Sequence, residues 1–204
     1  MAKGPLGEVH TYTQVRGYAT ANTEQYTPCV VGQAAEFTGS WPYYQFWLWR
    51  GGLFFDTSGL GAISIALASL ILNRSAVGLI DPATQWLVIV PGDVLDESGL
   101  VVADYGQLLS ITTDLGHITG TDWKTYGNDV DVSIPLNSTG IAQINKSGWT
   151  KFALRGRHDI LGVADVPLER NKFGFKSTND GTSSWRPRLQ ITVGLSRNRA
   201  HIIG

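Results

Sequence analysis

The stretch at residues 41–55, WPYYQFWLWRGGLFF, decides the fold of this chain, and eight of its fifteen residues are aromatic. Aromatic side chains favour β-strands because they fit a pleated, half-buried surface. At the two-residue period of a strand, large side chains fall on both faces: Tyr44, Phe46 and Leu48 on one, and Tyr43, Trp47 and Trp49 on the other. The glycine pair at 51–52 predicts a bulge or a close backbone approach. Because both faces need cover, the stretch predicts a sheet packed between layers.

Outward from this stretch, period-two patterns predict further strands. Residues 63–73, ISIALASLILN, predict a strand rather than the competing helix, because a helix here would be apolar nearly all round. Residues 85–90, QWLVIV, predict a buried strand that ends at a Pro-Gly pair. Other strands are predicted at 9–18, 29–33, 108–112, 130–136, 149–157, 172–177 and 188–193. One short helix is predicted at 140–147, with Asn137 or Ser138 as its N-cap.

About ten short strands, one short helix and Gly-rich turns predict an all-β fold. We expect an antiparallel two-sheet β-sandwich, formed as a single domain by residues 9–194. Gly4, Pro5 and Gly7 make residues 1–8 a flexible N-terminal arm, and residues 195–204 form a C-terminal tail. A chain of 204 residues fits one all-β domain of this kind.

Composition excludes several classes of protein. Sixteen basic and seventeen acidic residues give a net charge of −1, which does not match the basic surface of a nucleic-acid binder. No apolar run approaches the ~20 residues of a membrane-spanning helix. The first residues lack the apolar region of a secretory signal, so we expect a product made in the cytoplasm or a mature form whose signal has been removed. The single cysteine, Cys29, excludes an internal disulfide framework and is expected to pack as a small hydrophobe.

Several segments resemble one known family. RGGLFFDTSGL at 50–60, followed by ISIALASLIL, resembles the signature of DNRLRE-type domains, which are jelly-roll β-sandwiches related in shape to carbohydrate-binding modules. VDVSIPLN at 130–137 and FGFKSTNDGTSSWRPRLQITV at 173–193 resemble later strands of that family. The resemblance runs from 15 to 193, and the matched signature positions are Arg50, Leu53, Phe55, Asp56, Ser58, Leu60, Ile65, Ala68 and Leu70.

The resemblance implies a context for this chain. Such domains occur in bacterial surface proteins, in secreted enzymes and in particle proteins of tailed phages. A signal-less chain without disulfides favours the third context, and a charged fraction of 16%, below the usual level of about 25%, fits a protein inside an assembly. We therefore expect a virion component, such as a capsid decoration or cement protein, with capsid or other virion proteins as partners and a homo-oligomeric state.

Four rings are the candidate contact residues: Trp41, Tyr43, Trp47 and Trp49. Trp and Tyr are enriched at protein interfaces, and most such rings lie in cores. Flat rings along a strand can also pack on the C–H faces of sugars. The alternative function is accordingly a carbohydrate-binding module or a glycan-binding receptor part.

Catalytic motifs are absent from the sequence. No serine lies in a Gly-x-Ser-x-Gly turn, and no His-Glu-x-x-His or paired-cysteine spacing occurs, so we expect no enzymatic activity. His158 and Asp159 are adjacent, and on a strand they would point to opposite faces. The acidic group Asp93, Asp96 and Glu97 is best explained as a solvated loop. The separation of paired carboxylates for glycoside hydrolysis depends on the fold, so the sequence leaves that possibility open.

Calcium is the one candidate cofactor, because sandwich modules often hold one ion with loop oxygens. The candidate ligands are Asp159, Asp165, Asn179 and Asp180, and no ligand spacing recurs among them. Arg50 is the charged residue of the aromatic stretch. We expect it to form a buried ion pair with Asp56 or to stack on a ring.

Overall fold

The strands and helices are those of a computed structural model that describes residues 2–3, 13, 16, 29–37, 44–76, 85–96, 101–164 and 170–194. The strands are β1 (Ala2–Lys3), β2 (Cys29–Phe37), β3 (Tyr44–Trp49), β4 (Gly51–Asp56), β5 (Ile65–Asn73), β6 (Trp86–Pro91), β7 (Gly116–Thr119), β8 (Asp131–Pro135), β9 (Trp149–Gly156), β10 (Arg170–Phe175) and β11 (Arg188–Val193). The α-helices are α1 (Asp104–Gln107), α2 (Gly120–Thr125), α3 (Ser138–Ala142) and α4 (Arg157–Leu161). Single 3₁₀ turns occupy Ser58–Leu60, Leu108–Ser110 and Ser183–Trp185.

The described strands form three antiparallel sheets, with orders β1-β3-β2-β10, β11-β5-β8 and β4-β9-β6-β7. A bridge between Arg74 and Phe175 joins the end of β5 to β10, so the first two sheets continue one another as one layer. The sheet β4-β9-β6-β7 is the other layer, and the main core cluster contains buried side chains from both, such as Leu70 and Leu154. The predicted antiparallel β-sandwich is confirmed, whereas the jelly-roll strand order stays a prediction.

Burial in β5 and β8 shows which faces of these strands pack into the core. In β5, Leu70 and Leu72 are fully buried in the core, and Leu67 on the opposite face is exposed. In β8, Val132 and Ile134 are buried between exposed neighbours. The prediction of a strand rather than a helix at 63–73 is confirmed.

The aromatic stretch crosses from one layer to the other. β3 pairs with β2, while β4 pairs with β9 in the opposite sheet. Arg50 is the single residue between the two strands. A Cβ atom at Gly51 would lie only 3.1 Å from Cγ2 of Val31, so the glycine allows the close approach expected near 51–52.

The structure differs from the predictions at several elements. The candidate strand at 108–112 is a 3₁₀ turn at Leu108–Ser110 followed by irregular backbone, because carbonyl groups there accept hydrogen bonds from a buried arginine side chain rather than from a neighbouring strand. Four short α-helices have described bounds where the sequence predicts one; the predicted helix at 140–147 overlaps α3, which is capped by the side chain of Asn137. Within the predicted flexible arm, Ala2–Lys3 pairs with β3. In the strand predicted at 9–18, Thr13 and Arg16 are helical and the other residues lie outside the described part, as does the tail at 195–204.

Candidate functional site

The structure describes the predicted contact rings only in part. Trp41 and Tyr43 lie outside the described residues, and Trp47 is placed by its backbone, opposite Ala34 and Lys3. Trp49 has a described side chain, which is 6% exposed, and the ammonium nitrogen of Lys172 lies 4.6 Å from its ring centroid. A ring so covered offers little surface to a sugar, so packing is the favoured role for Trp49.

A different ring lies at the surface of the sheet β4-β9-β6-β7. The rings of Trp86 and His117 stack with centroids 4.4 Å apart and planes 16° apart. The guanidinium carbon of Arg157 lies 3.7 Å from the Trp86 centroid. Arg157 directly follows β9 and His117 lies in β7, and these two strands pair with opposite edges of β6, so we infer that the two groups cover opposite faces of the indole. His117 Nδ1 lies 2.7 Å from Oδ2 of Asp114. We call this row of four side chains the Trp86 stack.

Strand register brings the two rings together. His117 in β7 is directly opposite Val88 in β6, and Trp86 is two residues before Val88 on the same face. Diagonal neighbours on paired strands are within reach of aromatic side chains. The stack therefore follows from the pairing of β6 with β7.

Helix α4 supplies Arg157 to the stack. The helix begins directly after β9, and Oε1 of the buried Gln85 accepts hydrogen bonds from the backbone N–H of Trp86 at 3.2 Å and of His158 at 3.0 Å. This amide ties the start of β6 to the start of α4. A Cβ atom at Gly156 would lie 3.3 Å from Nε2 of Gln85 and 3.4 Å from the Cα of Gly32, so a larger residue would separate these elements.

A buried ion cluster holds α4 on the sheet. Asp159, which is 0% exposed, accepts from Nε and Nη2 of Arg50 at 2.8 Å each and from Nε of Arg155 at 2.7 Å. Burial acts to raise the pKa of Asp159, but the hydrogen bonds and charges of Arg50 and Arg155 outweigh it and hold the pKa below its ordinary value. Nε of Arg16 donates to the backbone carbonyl of Asp159 at 2.8 Å. We call these four residues the Asp159 cluster.

Arg50 and Arg155 also hold the segment 101–111 over the outer face of the sheet β4-β9-β6-β7. Nη1 of Arg155 donates to the carbonyl of Leu108 at 2.8 Å, and Nη1 of Arg50 donates to the carbonyl of Tyr105 at 2.6 Å. The Arg50 guanidinium also lies 4.1 Å from the centroid of the Tyr105 ring. The cluster therefore connects the junction between β3 and β4 with β9, α4 and this segment.

These contacts settle two predictions from the sequence. Arg50 does contact a ring, that of Tyr105, but its acidic partner is Asp159 and not Asp56, because Arg50 lies just before β4 whereas Asp56 lies at the far end of that strand. Asp56 instead accepts from the backbone N–H and the hydroxyl of Ser58, which lowers its pKa. His158 and Asp159 lie on a short helix rather than on a strand.

The calcium candidates are not brought together where the structure describes them. Both carboxylate oxygens of Asp159 accept hydrogen bonds from arginine side chains. Asp165 lies outside the described residues. Asp180 accepts from the backbone N–H of Thr182 at 2.8 Å within a turn. Among the described residues, no group of three or more His, Cys, Asp and Glu side chains has the arrangement of a metal site.

An exposed apolar side chain lies one helical turn from the Trp86 stack. Leu161 follows Arg157 by one turn and so lies on the same side of α4, where it is 59% exposed. We call Trp86, His117, Arg157 and Leu161 the Trp86 surface. It combines an aromatic row with an exposed aliphatic group.

Comparison of the sequence with models of known protein families and with curated proteins gave no match. Within the described part of the chain, no helix is long and apolar enough to cross a membrane.

Sequence reasoning missed the Trp86 surface. Trp86 is read from the sequence only as part of a buried strand, and nothing local links it to His117 or Arg157. One weak signal was present in the sequence. Trp86 stands at the start of the apolar run at 85–90, next to a loop, where a large ring can be partly exposed.

Proposed function

We propose that this chain is a non-enzymatic structural component of a phage particle, a capsid decoration or cement protein or another protein of the particle surface. In this proposal it holds neighbouring subunits together through the Trp86 surface. The observation that carries the proposal is the Trp86 stack, a preformed row of an arginine, a tryptophan and a histidine beside the exposed Leu161.

Such a surface has the composition of an interface hot spot. Trp and Arg are the residues whose truncation most often costs binding energy at protein interfaces. Both faces of the Trp86 ring are already covered, so the side chain loses little freedom when a partner packs against its edge. Leu161 adds apolar area that a partner would remove from water.

The interior charges support a structural role. Asp159, Arg50 and Arg155 use their hydrogen bonds to fasten elements of the fold. These hydrogen-bonded charged groups connect α4 to the sheet behind the Trp86 surface and keep the helix in place. A rigid support is what a protein that joins subunits needs.

The particle context comes from the resemblance to DNRLRE-type domains. Of the matched positions, Leu53, Ala68 and Leu70 are buried in the core. The resemblance thus concerns the residues that specify the fold, and fold alone does not determine function. The phage particle is for that reason the part of the proposal that needs direct biochemical support.

The test uses particles of the encoding phage that were assembled without this gene. Purified wild-type chain is added, and bound protein is measured after sedimentation of the particles. We expect saturable binding, and Trp86→Ala or Leu161→Asp should weaken it at least about tenfold, since hot-spot truncations cost roughly 2 kcal/mol or more.

Trp185→Ala is the matched control, because Trp185 also lies under a cation, Lys176 at 4.5 Å, but outside the Trp86 surface. It should bind like the wild type. Failure of the wild-type chain to sediment with particles, or equal binding by Trp86→Ala, would refute the proposal. Light scattering of the same proteins tests the expected homo-oligomer, which Leu161→Asp should dissociate if it uses this surface.

A further inference from the structure

Strand β11 lies at the edge of a sheet. Among the described strands it pairs with β5 on one side and with none on its other side. The backbone N–H and C=O groups along the outer side of an edge strand are a template for pairing with another strand. The pairing of β11 with β5 is regular from Arg188 to Thr192 and shifts only between Thr192 and Val193. Five consecutive residues therefore form a regular edge.

This edge lacks the usual protection against strand pairing. Proteins often block an edge with a charge, a proline or a bulge. The other edge strand of the same sheet, β8, begins at Asp131 and ends at Pro135. The β11 residues LQIT at 189–192 include neither a charge nor a proline. The one charged side chain of β11, Arg188, donates a hydrogen bond to Asp131 across β5 and is thus turned away from the edge.

The core-facing side of β11 is only partly covered. Leu189 and Ile191 lie directly opposite Leu70 and Ala68 of β5, which are buried. Both pack against the main core cluster but remain partly exposed at the margin of the sheet. A strand added along β11 would cover these two side chains and remove apolar surface from water.

The sequence of β11 fits a second copy of itself in one direction. In a parallel pair, Arg188 of each copy would lie beside the other, and like charges placed together are destabilising. In an antiparallel pair about a two-fold axis at Gln190, each Arg188 lies opposite Thr192 of the second copy, and Leu189 lies opposite Ile191. Opposed residues are then an even number of positions apart, so polar side chains meet on one face and apolar side chains on the other.

We propose that a second copy of this chain pairs with the free edge of β11 as an antiparallel strand centred on Gln190. The sheet β11-β5-β8 then continues into the same sheet of the second copy, through an interface in which both copies use the same residues. The two Gln190 side chains meet at the axis, where each amide can both donate and accept a hydrogen bond. The interface lies in the layer opposite the sheet that carries Trp86, so this proposal and the particle proposal can fail separately.

Sedimentation equilibrium of the purified full chain tests the dimer. The wild type should show a monomer–dimer equilibrium. Gln190→Lys should raise the dimer dissociation constant at least about tenfold, because two ammonium groups would meet at the axis. Ser133→Lys is the matched control, since it makes the same charge change at an exposed position on the same face of the other edge strand. It should dimerise like the wild type, as should Leu161→Asp.

Oxidative cross-linking tests the register. In Gln190→Cys the two new thiols would lie opposite each other, so an intermolecular disulfide should form. In Thr192→Cys they would be about 14 Å apart along the strands, too far for a disulfide. The wild type, whose only thiol is that of Cys29, should stay unlinked.

The proposal is overturned if the wild type is monomeric at every concentration tested, or if Gln190→Lys dimerises as tightly as the wild type. It is also overturned if Thr192→Cys forms the disulfide as fast as Gln190→Cys, because the strands would then pair in another register.

Discussion

At the scale of single residues, Asp159 has the most consequential environment. It is a fully buried carboxylate between two buried guanidinium groups, one of them 109 residues away in the chain. Removal of one partner from a buried ion pair leaves a charge without compensation, which costs far more than the pair contributes. The stability of the region behind the Trp86 surface should therefore depend on this one side chain.

We predict that Asp159→Asn lowers the free energy of unfolding by about 3–5 kcal/mol, because Arg50 and Arg155 would remain buried beside a neutral amide. Urea denaturation followed by tryptophan fluorescence measures the change. Asp56→Asn, at an exposed carboxylate, is the control and should change stability by no more than about 0.5 kcal/mol. A fully stable Asp159→Asn protein would contradict the assigned role.

The pKa of the same residue predicts how stability varies with pH. The pKa of Asp159 is lower in the folded state than the ordinary value of about 3.9, so its contribution is complete above that value. The contribution is lost as the pH falls through the folded-state pKa, because protonation removes the charge that both arginines need. Denaturation curves from neutral pH down to about pH 2 should show this loss in wild type. The loss should persist in Asp56→Asn and be much smaller in Asp159→Asn.

At the scale of elements, sequence periodicity predicted the strands whose two faces differ. β8 and β11 have the predicted bounds to within one residue, since alternation or turn signals mark them clearly. β7 was missed because its four residues, GHIT, are too few to show a period. Short elements need long-range contacts to be recognised.

Helix α4 shows why such contacts escape a reading of the sequence. Its five residues, RHDIL, follow a strand without a turn signal, and their local propensity does not specify a helix. The helix is held by Arg155 at the end of β9 and by Gln85 and Arg50, which come from distant parts of the chain. The Trp86 stack depends on this helix, so it could not be predicted from local patterns either.

At the scale of the whole molecule, the reactivity of the single thiol, that of Cys29, indicates whether the sandwich is folded. Cys29 lies in β2, packs against the main core cluster and is directly opposite Phe175. Burial raises the pKa of the Cys29 thiol to about 11. Since the thiolate is the reactive form, the folded protein should resist thiol reagents.

We predict that a colorimetric disulfide reagent at pH 8 modifies native Cys29 at least roughly tenfold more slowly than the urea-unfolded chain. The rate should rise with urea over the same range as the fluorescence transition. Fast modification in buffer alone would contradict this prediction, because it would show that the thiol at the first residue of β2 is reactive in the folded protein.

The passage of the chain through Arg50 has a consequence for folding kinetics. One residue separates β3 from β4, and the two strands hydrogen-bond to partners in opposing layers. β2 pairs with β10 and β4 pairs with β9, so each layer needs a strand from far along the chain. Closing such large loops is slow, which places this protein among the slower-folding β topologies. A cut at this junction separates β1, β2 and β3 from β10, so neither fragment contains the complete sheet β1-β3-β2-β10.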